Sequence, residues 1–455
     1  MAINTKKLKK SAIDDFKKYI NFTQFVFLNT VGLDILETDR NGVHIRDLAG
    51  GDRMIDCFCS AGSFNVGRRN PRMLAALEKA LETRDAGNYM FPSAEKVALA
   101  ERLVSVTPEG LEHVMFCTGG GEANESAIKM ARGLTGRPGV VSMVKGYHGH
   151  TGFSLSAIGK DVYRAPFEPL MPGYAQVPLN DIDALEKAVG DDTAAVILEL
   201  VQGEAGIHIA TQEYVDALRR VCDEHGAVLI FDEVQTGFCR TGKMFAGEHY
   251  SVVPDIMTVA KSLSGATYPI SATIFNDRVN GFVESHPEMI VSTSGGSDLG
   301  CAVGCEVIDY MQEEKIPEHA QEMGDYIGSA LLRLKDKHAG LVKDVRRLGM
   351  MMGLEYEHDM MGPLMSFFLG MNGVMAIFSA NNPRVMRFMP PVIITREEAD
   401  RLIEAVDKSM ATAGRNSKII MALSKIPILQ KAISVQELQI FLILITKTLR
   451  RVVPW

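Results

Sequence analysis

The sequence predicts an α/β protein: a large domain on a mostly parallel sheet, joined to a smaller α+β domain. Three observations predict it. Short apolar runs in the middle of the chain, Val114–Phe116, Val140–Met143, Ala194–Leu198 and Ala227–Phe231, read as buried strands. Helix patterns at Glu122–Leu134, Ile182–Val189 and Glu213–His225 lie between them, and strands alternating with helices imply a sheet covered on both faces. Finally, 455 residues, 46% of them apolar, exceed the roughly 250–300 residues at which a single core stops growing. In such a fold the ligand site lies at the carboxyl ends of the strands.

The elements follow in order. Lys6, Lys7, Lys9, Lys10, Lys17 and Lys18 mark a solvated N-terminal helix; no apolar h-region follows them, and Asp14 and Asp15 argue against a transit peptide. Short strands fill Val43–Asp56, and Asn65–Pro71 opens a helix over Arg72–Thr83. After Gly300 come a helix over Ala302–Glu314, a second helix rich in Lys and Glu, a strand at Met350–Glu355 and, beyond Pro390-Pro391, a helix over Arg396–Met410. The Met-rich stretches 350–354 and 359–371 read as adaptable core packing, the alternative being a roomy apolar substrate wall. The expected division is 1–55 contributing to the small domain, 56–300 as the large domain, 301–412 as the C-terminal small domain, and 413–455 as a tail. That tail carries seven basic residues against the single acid Glu437, with apolar helical patches. It reads as a helical pair packed on its own domain, or as a segment touching a membrane surface or a partner.

Charge and cysteine usage narrow the class. With 48 basic and 56 acidic residues the net charge is −8, which argues against nucleic acid as partner and for small-molecule chemistry. Seven cysteines, odd in number and unevenly spaced, do not make a disulfide framework and fit a reducing compartment. Neither Cys57/Cys59 nor Cys301/Cys305 has metal-ligand spacing, so no metal is expected. The longest apolar run, Ile440–Ile445, falls far short of the ~18 residues of a membrane span, and a cytoplasmic protein is expected.

Chemistry concentrates at three strand ends. Cys117-Thr-Gly-Gly-Gly121 separates a strand from a helix, so bare backbone amides converge at a helix N-terminus, the physical recipe for an anion site. The alternative is a glycine turn that merely packs strand against helix. A dinucleotide fingerprint would need Gly where Asn124 stands, and a Walker loop would need Gly-Lys-Ser/Thr. Strand 228–231 ends in Asp232, and Lys261 stands in the small, apolar run 260–265, where burial can strip its proton and make it a nucleophile. Each could be a surface salt-bridge residue taken singly. Together with the aromatic of Tyr147-His148-Gly149 they supply a phosphate cradle, a pyridinium partner, a Schiff-base lysine and a ring-stacking face, the parts that hold pyridoxal 5′-phosphate.

These residues resemble the class III aminotransferases of the pyridoxal-phosphate fold type I, from about Leu28 to Met410. The strongest stretch runs from 199–206 through 231–246 to 254–265. The layout resembles putrescine- and ornithine-type enzymes, through Phe64–Pro71 and the Asn381-Asn382 to Arg387–Pro391 ending. The resemblance implies a fold type I transferase that moves an amino group from an amine, ω-amino acid or amino acid to a 2-oxo acid. It makes Lys261 the Schiff-base lysine and proton shuttle and Asp232 the acid that keeps the pyridine nitrogen protonated. Gln235 would bond the phenolic oxygen, Tyr147 with His148 would seat the ring, and Gly120 and Gly121 would hold the phosphate. Thr293 would reach the phosphate of the neighbouring subunit, which implies a homodimer with composite sites. On the substrate side stand Arg387, gripping an α-carboxylate, Glu204, pairing with that arginine when a donor lacks one, and Phe64.

The sequence departs from the family at three places. The usual Ser-Gly-Thr before Glu122 is Gly119-Gly120-Gly121, the usual Gly-Gly-Asn-Pro-Leu is Gly295–Leu299 with Ser and Asp, and Leu200 replaces a proline. The alternative outcomes are a lyase, decarboxylase or racemase on the same fold, and, from another class, a non-catalytic binding protein that keeps the fold.

Overall fold

The computed structural model describes residues 4–289 and 291–424. Its centre is a seven-stranded sheet: β1 His113–Cys117, β2 Gly139–Met143, β3 Tyr174–Val177, β4 Thr193–Leu198, β5 Val228–Asp232, β6 Ile256–Val259 and β7 Ser271–Phe275, in the order β1-β7-β6-β5-β4-β2-β3. Only β7 runs antiparallel to its neighbours. The central strands are buried on both faces, as their unbroken apolar sequences require. In β5, Leu229 and Phe231 join the cluster under the helix Gln212–His225, while Val228 and Ile230 join the opposite cluster against the helix Gly120–Thr135. β4 divides in the same way, Val196 and Leu198 against Ala195 and Ile197. Each such side chain contributes on the order of 1.5–3 kcal/mol by leaving water.

Local signals set the helix ends. The Thr211 hydroxyl accepts from the Tyr214 N–H to open 212–225, and Gly226 closes it with φ +66°. The helix 120–135 ends the same way on Gly136, φ +68°. Asn70 caps the helix Pro71–Leu81, with proline at its first turn.

The smaller part has its own antiparallel sheet: β8 Val342–Leu348, β9 Met351–Tyr356, β10 Ile377–Ser379 and β11 Asn382–Phe388, in the order β8-β9-β11-β10. The helices Ile316–Lys337 and Arg396–Ser424 pack together beside it. The two chain ends share a further sheet, in which Met54–Asp56 pairs in parallel with Val374–Met375. The N-terminal helix Thr5–Tyr19 has no buried residue. Met350, Met351, Met352, Met361 and Met365 are buried in the core, and none of them lines the cavity described below.

One expected boundary moves. The helix beginning at Arg396 runs unbroken through 412 to Ser424, with no proline in 411–424 to stop it and Ala413 seated in the core. Residues 413–424 therefore continue that helix and do not begin a separate tail. The expectation for 425–455 lies outside the described residues.

Candidate active site

Five strand ends converge on one cavity of about 750 Å³. Thr118–Gly121 follow β1, Tyr147–His150 follow β2, Glu199 and Glu204 follow β4, Asp232 ends β5, and Ala260-Lys261 follow β6. This is where an open α/β sheet places its ligand.

The Asp232 carboxylate is 4% exposed and held from three sides. Oδ2 accepts from Asn124 Nδ2 and from His148 Nδ1, both at 2.8 Å, and Oδ1 accepts from the Val234 N–H at 3.0 Å. Asn124 is itself fixed, donating to the His148 carbonyl and accepting from the Thr258 hydroxyl at 2.7 Å. Burial opposes charge on His148, but the hydrogen bond and charge of Asp232 prevail and raise its pKa.

Lys261 faces the same space with φ +46°, a left-handed backbone for a non-glycine residue. Burial pushes its amine below the usual lysine value, against the opposing charges of Asp232, Glu204 and Glu199. The next residue ties it down: the Ser262 hydroxyl donates to the carbonyls of Gly62 (2.9 Å) and Ser63 (3.1 Å). Those carbonyls belong to a left-handed turn in which Cys59, Ser60 and Ala61 all have positive φ. Such a backbone costs on the order of 1–2 kcal/mol per non-glycine residue and marks a segment held for a purpose.

Gln235 bridges turn and cavity. Its Nε2 donates to the Ala61 carbonyl at 2.9 Å, while its buried Oε1 has no partner among the described residues. A Cβ on Gly203 would lie 1.6 Å from that oxygen, so only glycine lets Gln235 lie there.

At the glycine turn the first-turn N–H groups of the helix 120–135 face the cavity. A Cβ on Gly119 would meet nothing within 4 Å, whereas Gly149, φ +122°, approaches so closely that its Cβ would sit 2.6 Å from the Gly121 Cα. The Tyr147 loop is thus docked backbone to backbone on the anion turn. Thr118 offers no free hydroxyl proton there, since it donates to Glu122.

Across the cavity, Arg387 on β11 is 3% exposed, and its Nη1 donates to Glu204 Oε1 at 2.5 Å. Although burial works against ionisation, Arg387 and the Ala380 N–H hold the Glu204 carboxyl below its usual value. Tyr147, His150 and Tyr163 meet edge to face at 5.3–6.1 Å on one side, and Phe27, Phe58, Ile377 and Phe378 line another.

The cavity therefore gathers Gly120, Gly121, Tyr147, His148, Glu204, Asp232, Gln235, Lys261 and Arg387. Two expected residues are elsewhere. Thr293 is exposed and outside the cavity of its own chain. Phe64 is also outside the lining of its own chain's cavity, with the Arg68 guanidinium 4.2 Å from its ring, and Phe58 lines the cavity. Sequence reading missed Asn124 and Glu199. Asn124 sits three residues beyond Gly121, one helical turn in, and so on the face that meets Asp232.

The residues fit pyridoxal 5′-phosphate: an open glycine turn at a helix N-terminus, a buried carboxylate, the Gln235 amide at the cavity wall and an amine pushed toward neutrality.

Similarity to known proteins agrees with the geometry. The aminotransferase class-III family pattern matches residues 29–410. The chain belongs to the class III aminotransferases, and it is a pyridoxal-phosphate-dependent transaminase of fold type I. It is 39% identical over 425 residues, 93% of this chain and 100% of the relative, to an uncharacterized aminotransferase of Archaeoglobus fulgidus. Its structure resembles the ornithine aminotransferase of Toxoplasma gondii ME49 (TM-score 0.82, 27% identity, 90% of this chain and 96% of that one). It also resembles an (S)-enantioselective omega-transaminase of Thermomicrobium roseum (TM-score 0.78, 29% identity, 83% and 92%).

Proposed function

We propose that the enzyme takes amino groups from amines, ω-amino acids or amino acids, and that the Arg387–Glu204 pair lets one cavity serve both donors and 2-oxo acids. The observation that carries this reading is the pair itself. A buried guanidinium must be neutralised; Glu204 does so when the ligand brings no α-carboxylate, and a substrate carboxylate replaces Glu204 when it does. Pyridoxal phosphate, when bound, supplies an electron sink for the substrate Cα and a carbon that accepts the amino group.

The chain's own residues do the rest. Gly120 and Gly121 would offer N–H groups to the phosphate, Tyr147 would seat the ring, and Gln235 Nε2, which has a second N–H beside the one given to the Ala61 carbonyl, would donate to the phenolic oxygen. Asp232, oriented by Asn124 and His148, would keep a proton on the pyridine nitrogen. Lys261 would hold the cofactor through its amine, and the same amine is the base placed to take up and return a proton at the substrate Cα. Burial favours the neutral amine that both tasks need. The active unit is a homodimer in which Thr293 of each subunit completes the other's phosphate site, and its exposure on a single chain supports that reading. No helix among the described residues is long and apolar enough to cross a membrane; with the acidic balance and unpaired cysteines, the proposed location is the cytoplasm.

A donor panel tested against pyruvate and 2-oxoglutarate checks the reading. Turnover with at least one carboxylate-free amine is expected. Activity confined to α-amino acids would overturn the dual use of Arg387.

A further inference from the structure

Glu199, the first residue after β4, is 6% exposed and lines the cavity, yet none of the roles above uses it. Its two oxygens are divided between two loops. Oε1 accepts from the Tyr147 N–H at 2.9 Å, and Oε2 accepts from the Gly203 N–H at 3.3 Å. Tyr147 carries the ring seat after β2, and Gly203 directly precedes Glu204, the partner of Arg387. A second tie runs the same way, Gln202 Nε2 donating to the Val144 carbonyl at 3.1 Å. The 199–204 turn is thus bound to the 144–147 loop at two points.

A carboxylate is an expensive choice here. Burial pushes the Glu199 carboxyl up to about 7, with His148 lowering it and Asp232 raising it. A glutamine of the same shape would escape that desolvation, but its NH2 would face one of two N–H donors. Only a side chain that accepts at both oxygens satisfies both loops, so the charge is retained against stability.

We propose that Glu199 is a positioning residue: as a two-headed acceptor it keeps the Tyr147 ring and the Glu204 carboxylate in register, so that cofactor seat and arginine cover form one unit. The inference rests on the roles given above to Tyr147 and Glu204.

The test is Glu199→Gln in the cofactor-loaded enzyme. Misplacement of reacting groups by about 1 Å can cost ~100-fold. A 10- to 100-fold fall in kcat/KM for a carboxylate-free amine is therefore expected, with weaker cofactor binding and an unchanged or higher Tm. The wild-type profile of kcat/KM should also show an acid limb near pH 7 that the variant lacks, because protonation turns one acceptor oxygen into a hydroxyl. Kinetics within twofold of wild type and an unaltered pH profile would overturn the proposal, as would a loss confined to stability. Should E199Q not fold, Glu199→Asp keeps the charge but reaches only one loop; it is expected to lose about tenfold, and wild-type kinetics would overturn the proposal. Glu204→Gln separates the two readings: if it loses activity toward the carboxylate-free amine while E199Q behaves as wild type, only the role of Glu199 falls.

Discussion

Arg387 Nη1 and Glu204 Oε1 face each other at 2.5 Å across the cavity, each supplied by a different part of the fold: β11 of the smaller antiparallel sheet and the turn after β4 of the large sheet. The two parts must therefore keep their relative position for the site to work. Because Glu204 is also held by the Ala380 N–H, its release from Arg387 leaves it one backbone partner.

Removing the cover should separate the two halves of the reaction. In Glu204→Gln the arginine loses its counter-charge, and kcat/KM for a carboxylate-free amine should fall about tenfold or more, while the half-reaction with a 2-oxo acid keeps its rate. Arg387→Ala should do the reverse, raising KM for the 2-oxo acid about 10–100-fold, as expected from the ~1.5–3 kcal/mol of hydrogen bonds to a charged group. Steady-state kinetics of both variants with one donor and one acceptor check this.

Gly203→Ala tests the seat of Gln235. The added Cβ would sit 1.6 Å from Oε1, so the amide must leave its place. A stability loss of about 1–3 kcal/mol and a raised cofactor dissociation constant should follow, read by denaturant unfolding and by fluorescence titration.

Asn124→Ala leaves Asp232 one donor short and strips the Thr258 hydroxyl of its acceptor. Buried groups left unpaired cost about 1–3 kcal/mol. Cofactor affinity should fall with stability, measured by equilibrium dialysis and thermal unfolding; unchanged affinity would remove Asn124 from the site.

Glu233 contributes to the pH dependence of stability. It is fully buried, and burial pushes its carboxyl from 4.5 up to about 7 despite bonds from the Thr236 hydroxyl and the Ala246 and Gly247 N–H groups. The folded state then binds the proton more tightly than the unfolded one. Its contribution is complete below pH 4.5 and fades as pH rises through about 7. Wild type should lose stability relative to Glu233→Gln between pH 5 and 8, on the order of a few kcal/mol. Urea unfolding of both proteins checks it; a constant difference would refute it.

Much of this was legible in the sequence, and the exceptions have physical reasons. β4 and β5 stand out because burial on both faces demands continuous apolar runs, and Asp232 stands out because an acid ends such a run. β8, Val342–Leu348, is hidden, since four of its seven residues are charged and its stability comes from pairing with β9. β7 is short and interrupted by polar Ser271 and Thr273, and nothing local betrays its antiparallel direction. Lys261 stands out through the small, apolar run around it, and Arg387 through the family resemblance. Asn124 and Glu199 act only through residues brought near by tertiary folding, which no local pattern reveals.

The central claim is that Lys261 and the groups around it move an amino group and do not release it. Single-turnover mixing of cofactor-loaded enzyme with an amine tests this most directly, followed by addition of 2-oxoglutarate or pyruvate. The account predicts conversion of the cofactor to its amino form, then its return with one equivalent of the matching amino acid and no free ammonia or carbon dioxide. Release of ammonia or carbon dioxide in place of the amino form would contradict it.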